Sequence, residues 1–374
     1  MKLLLAGGGT AGHINPALAI AGYVCQREPA TQILYVGAKG GMEERLVPQA
    51  GYDFEKIEIS GFQRKLSFES LKKKCPYRKA GSSHPAEKAK KIISRFQPDL
   101  CIGTGGYVSG PVIRQAQKMG IPTLIHEQNA FPGVTNKMLS KHADRVMLAI
   151  EDAKRHMDPN ASFTVTGNPV RGQIVTSQKQ ASRDYLRLDN RPVILSFGGS
   201  LGARKINEAA ADLIAWSSRD DRFQHIHAYG QYGKWFPELL EKKGVDLKAH
   251  KNLDIREYIN NMPELLAAAD LVISRAGALT LAELEAEGRA AILIPSPNVA
   301  ENHQYYNAME LQKAGAAVVI EEKDLTGEKL VSTVSGLLAE PGRLAAMGKN
   351  ARTLSVDDSL DRIADALMKL VKTP

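Results

Sequence analysis

The sequence predicts an α/β protein of two parallel-sheet domains, and three observations carry that expectation. Short apolar, β-branched runs alternate with helix-period segments nearly from end to end, the pattern of strands joined by crossover helices. Four of the strand candidates run directly into glycine turns, at LLLAGGGTAGH, LCIGTGGYVSGP, ILSFGGSLGA and LVISRAGALT. The length, 374 residues, suits two domains better than one.

Taken in order, the strand candidates of the first half are 2–6, 32–36, 99–103, 122–126 and 145–149. Those of the second half are 192–197, 223–229, 270–274, 291–294 and 317–320. Helical segments between them include 15–27, 86–96, 203–217, 278–287 and 302–313. Asn15 suits the cap of the first helix and Pro16 its first position. SFTVTGNPVRGQ (162–173) gathers Gly, Asn and Pro where one α/β series stops; a charged helical stretch at 176–187 follows, and RPVILSFGGS opens a second series. The expected domains are therefore 1–167 and 168–345. The tail, SLDRIADALMKLV, repeats apolar residues at helical spacing through Leu360, Ile363, Ala364, Leu367 and Val371. It predicts an amphipathic helix within 356–372 that packs on one of the domains, the first being the expectation. In a parallel sheet the glycine turns lie at the carboxyl edge, so two sheets with facing edges are expected to enclose a cleft.

Composition narrows the class. Hydrophobic residues make up 43% and charged residues 24%, as in globular proteins with a real core. Cys25, Cys75 and Cys101 are odd in number and lack C-x-x-C spacing, which argues against a disulfide framework or a zinc site. A reducing cytosol is the expected compartment. No apolar run approaches the roughly 18 residues needed to span a bilayer. The net charge of +8 is local: residues 64–95 hold 11 Lys/Arg against two acids. Phe62, Leu66, Phe68, Leu71 and Tyr77 interleave with those charges. The stretch is either a solvated helical face or a surface that meets polyanions, and charge beside insertable apolar groups favours an anionic membrane over nucleic acid.

Gly7, Gly9 and Gly12 carry the G-x-G-x-x-G spacing of a dinucleotide turn. A nicotinamide site also needs an acid at the end of the second strand, where this chain has Gly37, Ala38 and Lys39. The amides at a helix start hold any anion, so the turn is expected to handle phosphate or sugar, with His13 at its rim. In the second half, the amides around Ala278–Thr280 point at an anion placed before a helix. Glu283 reads either as a first-turn helix stabiliser or as an acceptor for ribose hydroxyls. Ser200 lies in another amide-rich turn. Arg171 could face a diphosphate or form an interdomain salt bridge. PNVAENHQYYNA clusters Glu301, Asn302, His303, Gln304 and Asn307, and neutral amides suit sugar hydroxyls.

These motifs, together with HEQNAFPGVTNK, GNPVR and NHQYYNAMELQKAGAA, stand in order from residue 2 to about 320. Jointly they resemble the glycosyltransferases of the B-type two-domain fold, with two Rossmann-like domains, and within them the peptidoglycan N-acetylglucosaminyltransferases. The resemblance implies that UDP-N-acetylglucosamine binds mainly the second domain and an undecaprenyl-linked muramyl-pentapeptide the first. Carried over by motif, Thr10, Ala11, Gly12 and Asn129 approach the sugar donor, while Arg171 and Ser200 meet its diphosphate. The main chain of Ile259 contacts the uracil. Ala278, Leu279 and Thr280 lie by the phosphates, Glu283 by the ribose, and Gln304 and Asn307 by the N-acetylglucosamine. Gly9, Gly105 and Gly106 hold the acceptor pyrophosphate.

Further implications are inversion at the sugar carbon and a peripheral place on the cytoplasmic face of the bacterial cell membrane, beside cell-wall synthesis proteins. The segment 77–91 is more polar than the apolar helix the family leads one to expect. No D-x-D metal motif stands at a strand end of the donor half, and no cofactor or metal is expected. His13 is the first choice of base and Glu127 the second. A sugar-nucleotide epimerase of similar fold and a non-catalytic surface-binding protein are the rival readings.

Overall fold

The computed structural model describes residues 1–59, 85–170 and 172–372. The chain falls into two compact units, Met1–Pro169 with Asp358–Pro374, and Val170–Asp357. The first unit is built on β1 (Lys2–Gly7), β2 (Gln32–Ala38), β3 (Asp53–Ile57), β4 (Leu100–Gly105), β5 (Thr123–Glu127), β6 (Arg145–Leu148) and β7 (Phe163–Val165). All pair in parallel, in the order β3-β2-β1-β4-β5-β6-β7. Parallel neighbours need crossovers, and α1 (Ala11–Arg27), α2 (Glu43–Gln49), α3 (Pro85–Phe96), α4 (Ser109–Lys118) and α5 (Val134–Ser140) provide them.

The second unit opens with α6 (Gly172–Thr176) and α7 (Lys179–Tyr185). Its sheet holds β8 (Val193–Phe197), β9 (Gln224–Ala228), β10 (Leu253–Arg256), β11 (Leu271–Ser274), β12 (Ala290–Leu293) and β13 (Ala317–Val319), ordered β10-β9-β8-β11-β12-β13. The helices between and after them are α8 (Arg204–Ser217), α9 (Phe236–Lys242), α10 (Met262–Ala268), α11 (Ala278–Glu287), α12 (His303–Lys313), α13 (Gly327–Ala339) and α14 (Arg343–Arg352). The last helix, α15 (Ser359–Lys372), returns to the first unit and packs on α1.

Strand alternation explains the two-sided cores. Leu3 and Leu5 of β1 bury against Ala17, Ile20 and Val24 of α1 and against Ile363 and Leu367 of α15. Their neighbours Leu4 and Ala6 bury on the opposite face against Ile92, Ile93, Val112 and Ile113. In the second unit Val193 and Leu195 face Leu265, Leu266 and Leu284, while Ile194 faces Ile206, Leu213 and Val334. Strand order reverses beside β1 in the first sheet and beside β8 in the second. At such a switch point the crossovers leave to opposite faces and open a crevice at the carboxyl ends of the two central strands. Those ends carry the glycine turns.

Several local expectations need correction. β3, β7 and β10 were absent from the sequence reading, and each is an edge strand. An edge strand has one neighbour and tolerates charge, so Asp53–Ile57 (DFEKI) lacks the apolar signature of a central strand. The first helix starts at Ala11 rather than after Asn15, because the Thr10 carbonyl accepts from His13 and Ile14 N–H at 3.1 and 3.3 Å. Pro16 therefore lies buried inside α1. The Thr104 hydroxyl, donating to the His13 carbonyl at 2.7 Å, secures that first turn from the neighbouring strand. In the charged stretch expected as one helix at 176–187, Thr176 ends α6 and a separate helix covers Lys179–Tyr185. Cys25 and Cys101 are free thiols.

Leu367 is fully buried where α15 meets the β1–α1 layer. Leu367→Ala is expected to cost the first unit about 2–5 kcal/mol, read as a lower midpoint in urea unfolding; an unchanged midpoint would mean that α15 adds nothing to that core.

Candidate active site

In the first unit, the turn after β1 and the turn after β4 meet main chain to main chain. Gly8 N–H donates to the Gly105 carbonyl at 3.3 Å. A Cβ on Gly106 would stand 2.1 Å from the Gly8 oxygen, and Gly106 also has φ +81°. Gly9 (φ +82°) and Gly105 (φ +103°) are left-handed as well. No other residue type fits this approach. The structure thus brings Gly9, Gly105 and Gly106 together, with the exposed Thr10 and Gly12 and the half-buried Ala11 beginning α1 beside them.

His13 lies in that first helical turn. Its Nδ1 is 3.1 Å from the Gly8 carbonyl oxygen and 3.2 Å from Thr10 Oγ1. A carbonyl only accepts, so Nδ1 carries the hydrogen and Nε2 keeps its lone pair. The space beside Nε2 exists because residue 105 is glycine: a Cβ there would lie 3.1 Å from Nε2 and 2.8 Å from Cδ2. Burial lowers the His13 pKa below its ordinary value, against a smaller rise from the Gly8 hydrogen bond and from the charge of Glu43. The ring is neutral at pH 7 and presents a bare nitrogen.

Glu127, the second candidate base, is differently placed. Its Oε1 accepts from the Asn129 main-chain and side-chain N–H at 3.0 and 2.9 Å. Its Oε2 accepts from Gly133 N–H at 3.1 Å and Asn136 Nδ2 at 2.9 Å. Burial raises its pKa and the four donors oppose that rise. Such a carboxylate organises the loop 129–136. The neighbouring His126 is buried and pushed down to about 4 by burial. It donates from Nε2 to the Gly167 carbonyl at 3.1 Å, and Nδ1 accepts from Gln128.

Glu43 was not anticipated. It opens α2, is fully buried, and accepts from Ala38 N–H at 3.0 Å and Gly9 N–H at 3.3 Å. GAKGGMEE gave the only signal, an acid two residues after paired glycines.

In the second unit, α11 begins at Ala278 with Gly277 as its extended cap. Ala278, Leu279 and Thr280 are half-buried, and the first turn holds no acid. Glu283 is corrected: it is the sixth residue of α11 and lies a turn beyond the helix start. The Ser200 turn is exposed and braced by main chain, with Gln231 and Tyr232 N–H donating to the Ser200 and Leu201 carbonyls at 3.1 and 3.0 Å. Gln304 Oε1 accepts from Ser296 N–H at 2.9 Å, which closes the loop before α12. Glu301 and Asn302 hold left-handed φ values of +54° and +50° in that loop, a strained choice for residues with a Cβ. Asn307 is fully buried and its Nδ2 lies 3.5 Å from the Ala276 carbonyl, so it supports the turn into α11. Ile259 is buried in the same core as β11 and α11.

Arg171 lies outside the described residues, as do the expected surface residues Phe62, Leu66, Phe68, Leu71 and Tyr77. Of the basic stretch, α3 presents Lys90 and Lys91 to solvent. Among the described residues no group of three or more His, Cys, Asp or Glu could hold a metal, and no helix is long and apolar enough to cross a membrane.

The comparisons with known proteins follow the two-unit division. The glycosyltransferase family 28 N-terminal domain matches residues 3–148 and the family 28 C-terminal domain residues 193–363. A relative in Desulforamulus reducens is 45% identical over 99% of both chains. One in Acetivibrio thermocellus is 43% identical over 100% of this chain and 99% of its own. Both are named UDP-N-acetylglucosamine–N-acetylmuramyl-(pentapeptide) pyrophosphoryl-undecaprenol N-acetylglucosamine transferase. Among solved structures, Acinetobacter baumannii MurG superposes with a TM-score of 0.75 at 29% identity, covering 98% of this chain and 99% of that one. The UDP-GlcNAc 2-epimerase of Neisseria meningitidis reaches 0.66 over 99% of this chain and 100% of its own, at 14% identity, and shares the fold alone. With glycine turns at the switch points of two parallel sheets, and both family domains matched in register, this chain belongs to glycosyltransferase family 28.

Proposed function

We infer that the protein moves N-acetylglucosamine from UDP-N-acetylglucosamine to the 4-hydroxyl of the muramyl sugar of undecaprenyl-pyrophosphoryl-MurNAc-pentapeptide. The observation that carries the reading is end-to-end likeness, across both units, to relatives named for that transfer. The epimerase reading rests on fold likeness alone at 14% identity.

The reaction poses two electrostatic demands, and each unit supplies groups suited to one. An α-linked donor displaced once yields a β linkage through an oxocarbenium-like state, as in glycoside chemistry. Negative charge grows on the departing UDP. The amides of Ala278, Leu279 and Thr280 at the start of α11 suit that charge, with Ser200 and Arg171 on its diphosphate side. Glu283 takes the ribose, and Ile259 the uracil through its main chain. Gln304 keeps its amide nitrogen unpartnered among the described residues, available to the sugar, and Asn307 completes that side. In the first unit, Gly9, Gly105 and Gly106 hold the acceptor pyrophosphate, while Thr10, Ala11, Gly12 and Asn129 approach the transferred sugar. The attacking hydroxyl must lose its proton, and the lone pair on His13 Nε2 takes it. Glu127, occupied by four donors, keeps Asn129 and Asn136 in place.

A peripheral place on an anionic membrane accords with the basic excess of 64–95. Val134 and Met138 add exposed apolar surface on α5 beside Lys137. Sedimentation with phosphatidylglycerol vesicles tests it against neutral vesicles.

Incubating the protein with radiolabelled UDP-N-acetylglucosamine and the lipid-linked acceptor should carry label into the lipid fraction; isomerised donor would support the epimerase. His13→Ala should lower kcat by about 100-fold or more, and near-normal turnover in a folded variant would remove His13 from the role. Because the base acts neutral and burial lowers its pKa, activity should hold at pH 7 and fall as pH drops through a midpoint below 6.5, the ordinary histidine value. Gly106→Ala, whose Cβ would meet the Gly8 oxygen at 2.1 Å, should raise the acceptor KM at least ~10-fold while leaving the donor KM nearly unchanged. Excess EDTA should leave turnover intact, since amides and cations carry the leaving-group charge in this account.

A further inference from the structure

Glu43 is an acid buried behind the reactive turn without a cation paired to it among the described residues. Taking a charge out of water is costly unless something is gained. The surroundings are cut to fit it. A Cβ on Gly8 would lie 2.2 Å from its Oε1, one on Gly37 2.4 Å from its Cγ, and one on Gly41 2.6 Å from its Cδ. Three glycines, one after β1, one within β2 and one in the turn after β2, thus form the socket of one carboxylate.

The contacts it makes are specific. Oε2 accepts from Gly9 N–H at 3.3 Å, and that N–H belongs to the same peptide group as the Gly8 carbonyl. The Gly8 oxygen in turn accepts from His13 Nδ1 at 3.1 Å. Carboxylate, peptide and imidazole therefore stand in series: Glu43 to Gly9 N–H, Gly8 carbonyl to His13 Nδ1–H. An anion on the N–H side of an amide draws electron density toward its oxygen, and chained hydrogen bonds strengthen one another in a low dielectric. The arrangement parallels an acid–histidine pair, with a peptide group inserted between them.

We propose that Glu43 is a positioning residue that acts on His13 through the Gly8–Gly9 peptide, fixing the Nδ1–H tautomer and stabilising the imidazolium formed when Nε2 takes the acceptor's proton. The inference rests on His13 serving as the base. Other groups around the ring do not supply the same field. Tyr107, against Gly9, and Tyr35, whose hydroxyl donates to the Gly7 carbonyl at 3.0 Å, are neutral phenols with pKa values raised chiefly by burial. Thr104, from β4, donates to the His13 main chain. Glu127 spends its oxygens on the loop 129–136. From α15, Asp361 and Asp365 pair with Tyr23 and Arg27 ten or more residues further along α1. Burial lowers the His13 pKa most; the Gly8 hydrogen bond opposes that, and the charge of Glu43 adds a smaller rise.

The test is Glu43→Gln in the full-length enzyme, which keeps the shape and removes the charge. The acid limb of the kcat/KM–pH profile should move to lower pH, and kcat should fall about 10-fold or more. Glu43→Asp, which retains charge, should restore part of both. In the His13→Ala background the same change should have no further effect on kcat. A limb that stays put in folded Glu43→Gln, or an equal loss of kcat in the His13→Ala background, would overturn the proposal and leave Glu43 a packing residue. Nitrogen-15 NMR of labelled histidine in the unmutated enzyme gives a second, independent readout. The hydrogen should sit on Nδ1 of His13 at neutral pH, and an Nε2–H ring would overturn the relay even if Glu43→Gln failed to fold. Full turnover by His13→Ala would instead defeat the reading of His13 as base, while the NMR titration still reports whether the carboxylate and ring are coupled.

Discussion

Two main chains approach each other at the carboxyl edge of the first sheet with nothing between them but hydrogen atoms. The pairing of Gly8 with Gly105, and the space kept clear by Gly106, let the ends of β1 and β4 come together at the switch point. Main chain at such density offers amides and carbonyls without side-chain freedom to lose, which is what binding an anionic group requires. The location of His13 follows from the same approach. Its ring can lean over the turn because residue 105 lacks a Cβ, and its orientation comes from the Gly8 carbonyl. One steric constraint thus sets both the shape of the glycine turn and the nitrogen beside it.

The second unit builds its close turns by different means. Its turn after β8 is locked by Gly202 and Gly230: a Cβ on Gly202 would stand 2.2 Å from the Tyr229 oxygen, and one on Gly230 2.1 Å from the Gly202 nitrogen. The α11 start has Ala278, Leu279 and Thr280 where many helices place an acid. An acid there would satisfy the helix dipole from within and repel a phosphate, so its absence accords with the role proposed for this turn. The polar residues beneath are committed elsewhere. Ser196, His225 and His227 form a buried chain with 2.7 Å contacts, and burial pushes His225 to about 3 and His227 lower than its ordinary value. Those rings stay neutral at any pH the enzyme meets and belong to the core.

How much of this was legible in the sequence depended on what each signal encodes. Central strands and their glycine turns stood out because both faces of a parallel sheet are buried and a close turn admits only glycine. The edge strands β3, β7 and β10 did not, since one exposed side relaxes the demand for apolar residues. Pro16 misled by obeying a good rule. Proline prefers the first helical position, but here the first turn is stabilised by Thr10 and Thr104, and the ring is accommodated one turn later. Glu283 was read as a first-turn residue although the helix was already expected over 278–287; counted from Ala278 it is the sixth residue, a turn further on. Glu43 could not be singled out, because its socket is formed by Gly8, Gly37 and Gly41, which converge on it only in the fold.

Buried carboxylates explain why a histidine rather than an acid faces the acceptor in this account. Glu43 and Glu127 both lie behind the working surface, each held by main-chain amides. A carboxylate in front would repel the acceptor pyrophosphate as it settled in the same turn, at a cost that low dielectric magnifies. A neutral imidazole accepts the proton without that repulsion. It becomes a cation only as the hydroxyl attacks, when a nearby diphosphate and a carboxylate behind the peptide both favour the new charge. On the proposed roles, binding and proton transfer would meet in one turn, since the Gly8 carbonyl that crowds Gly106 is also the group that holds the ring.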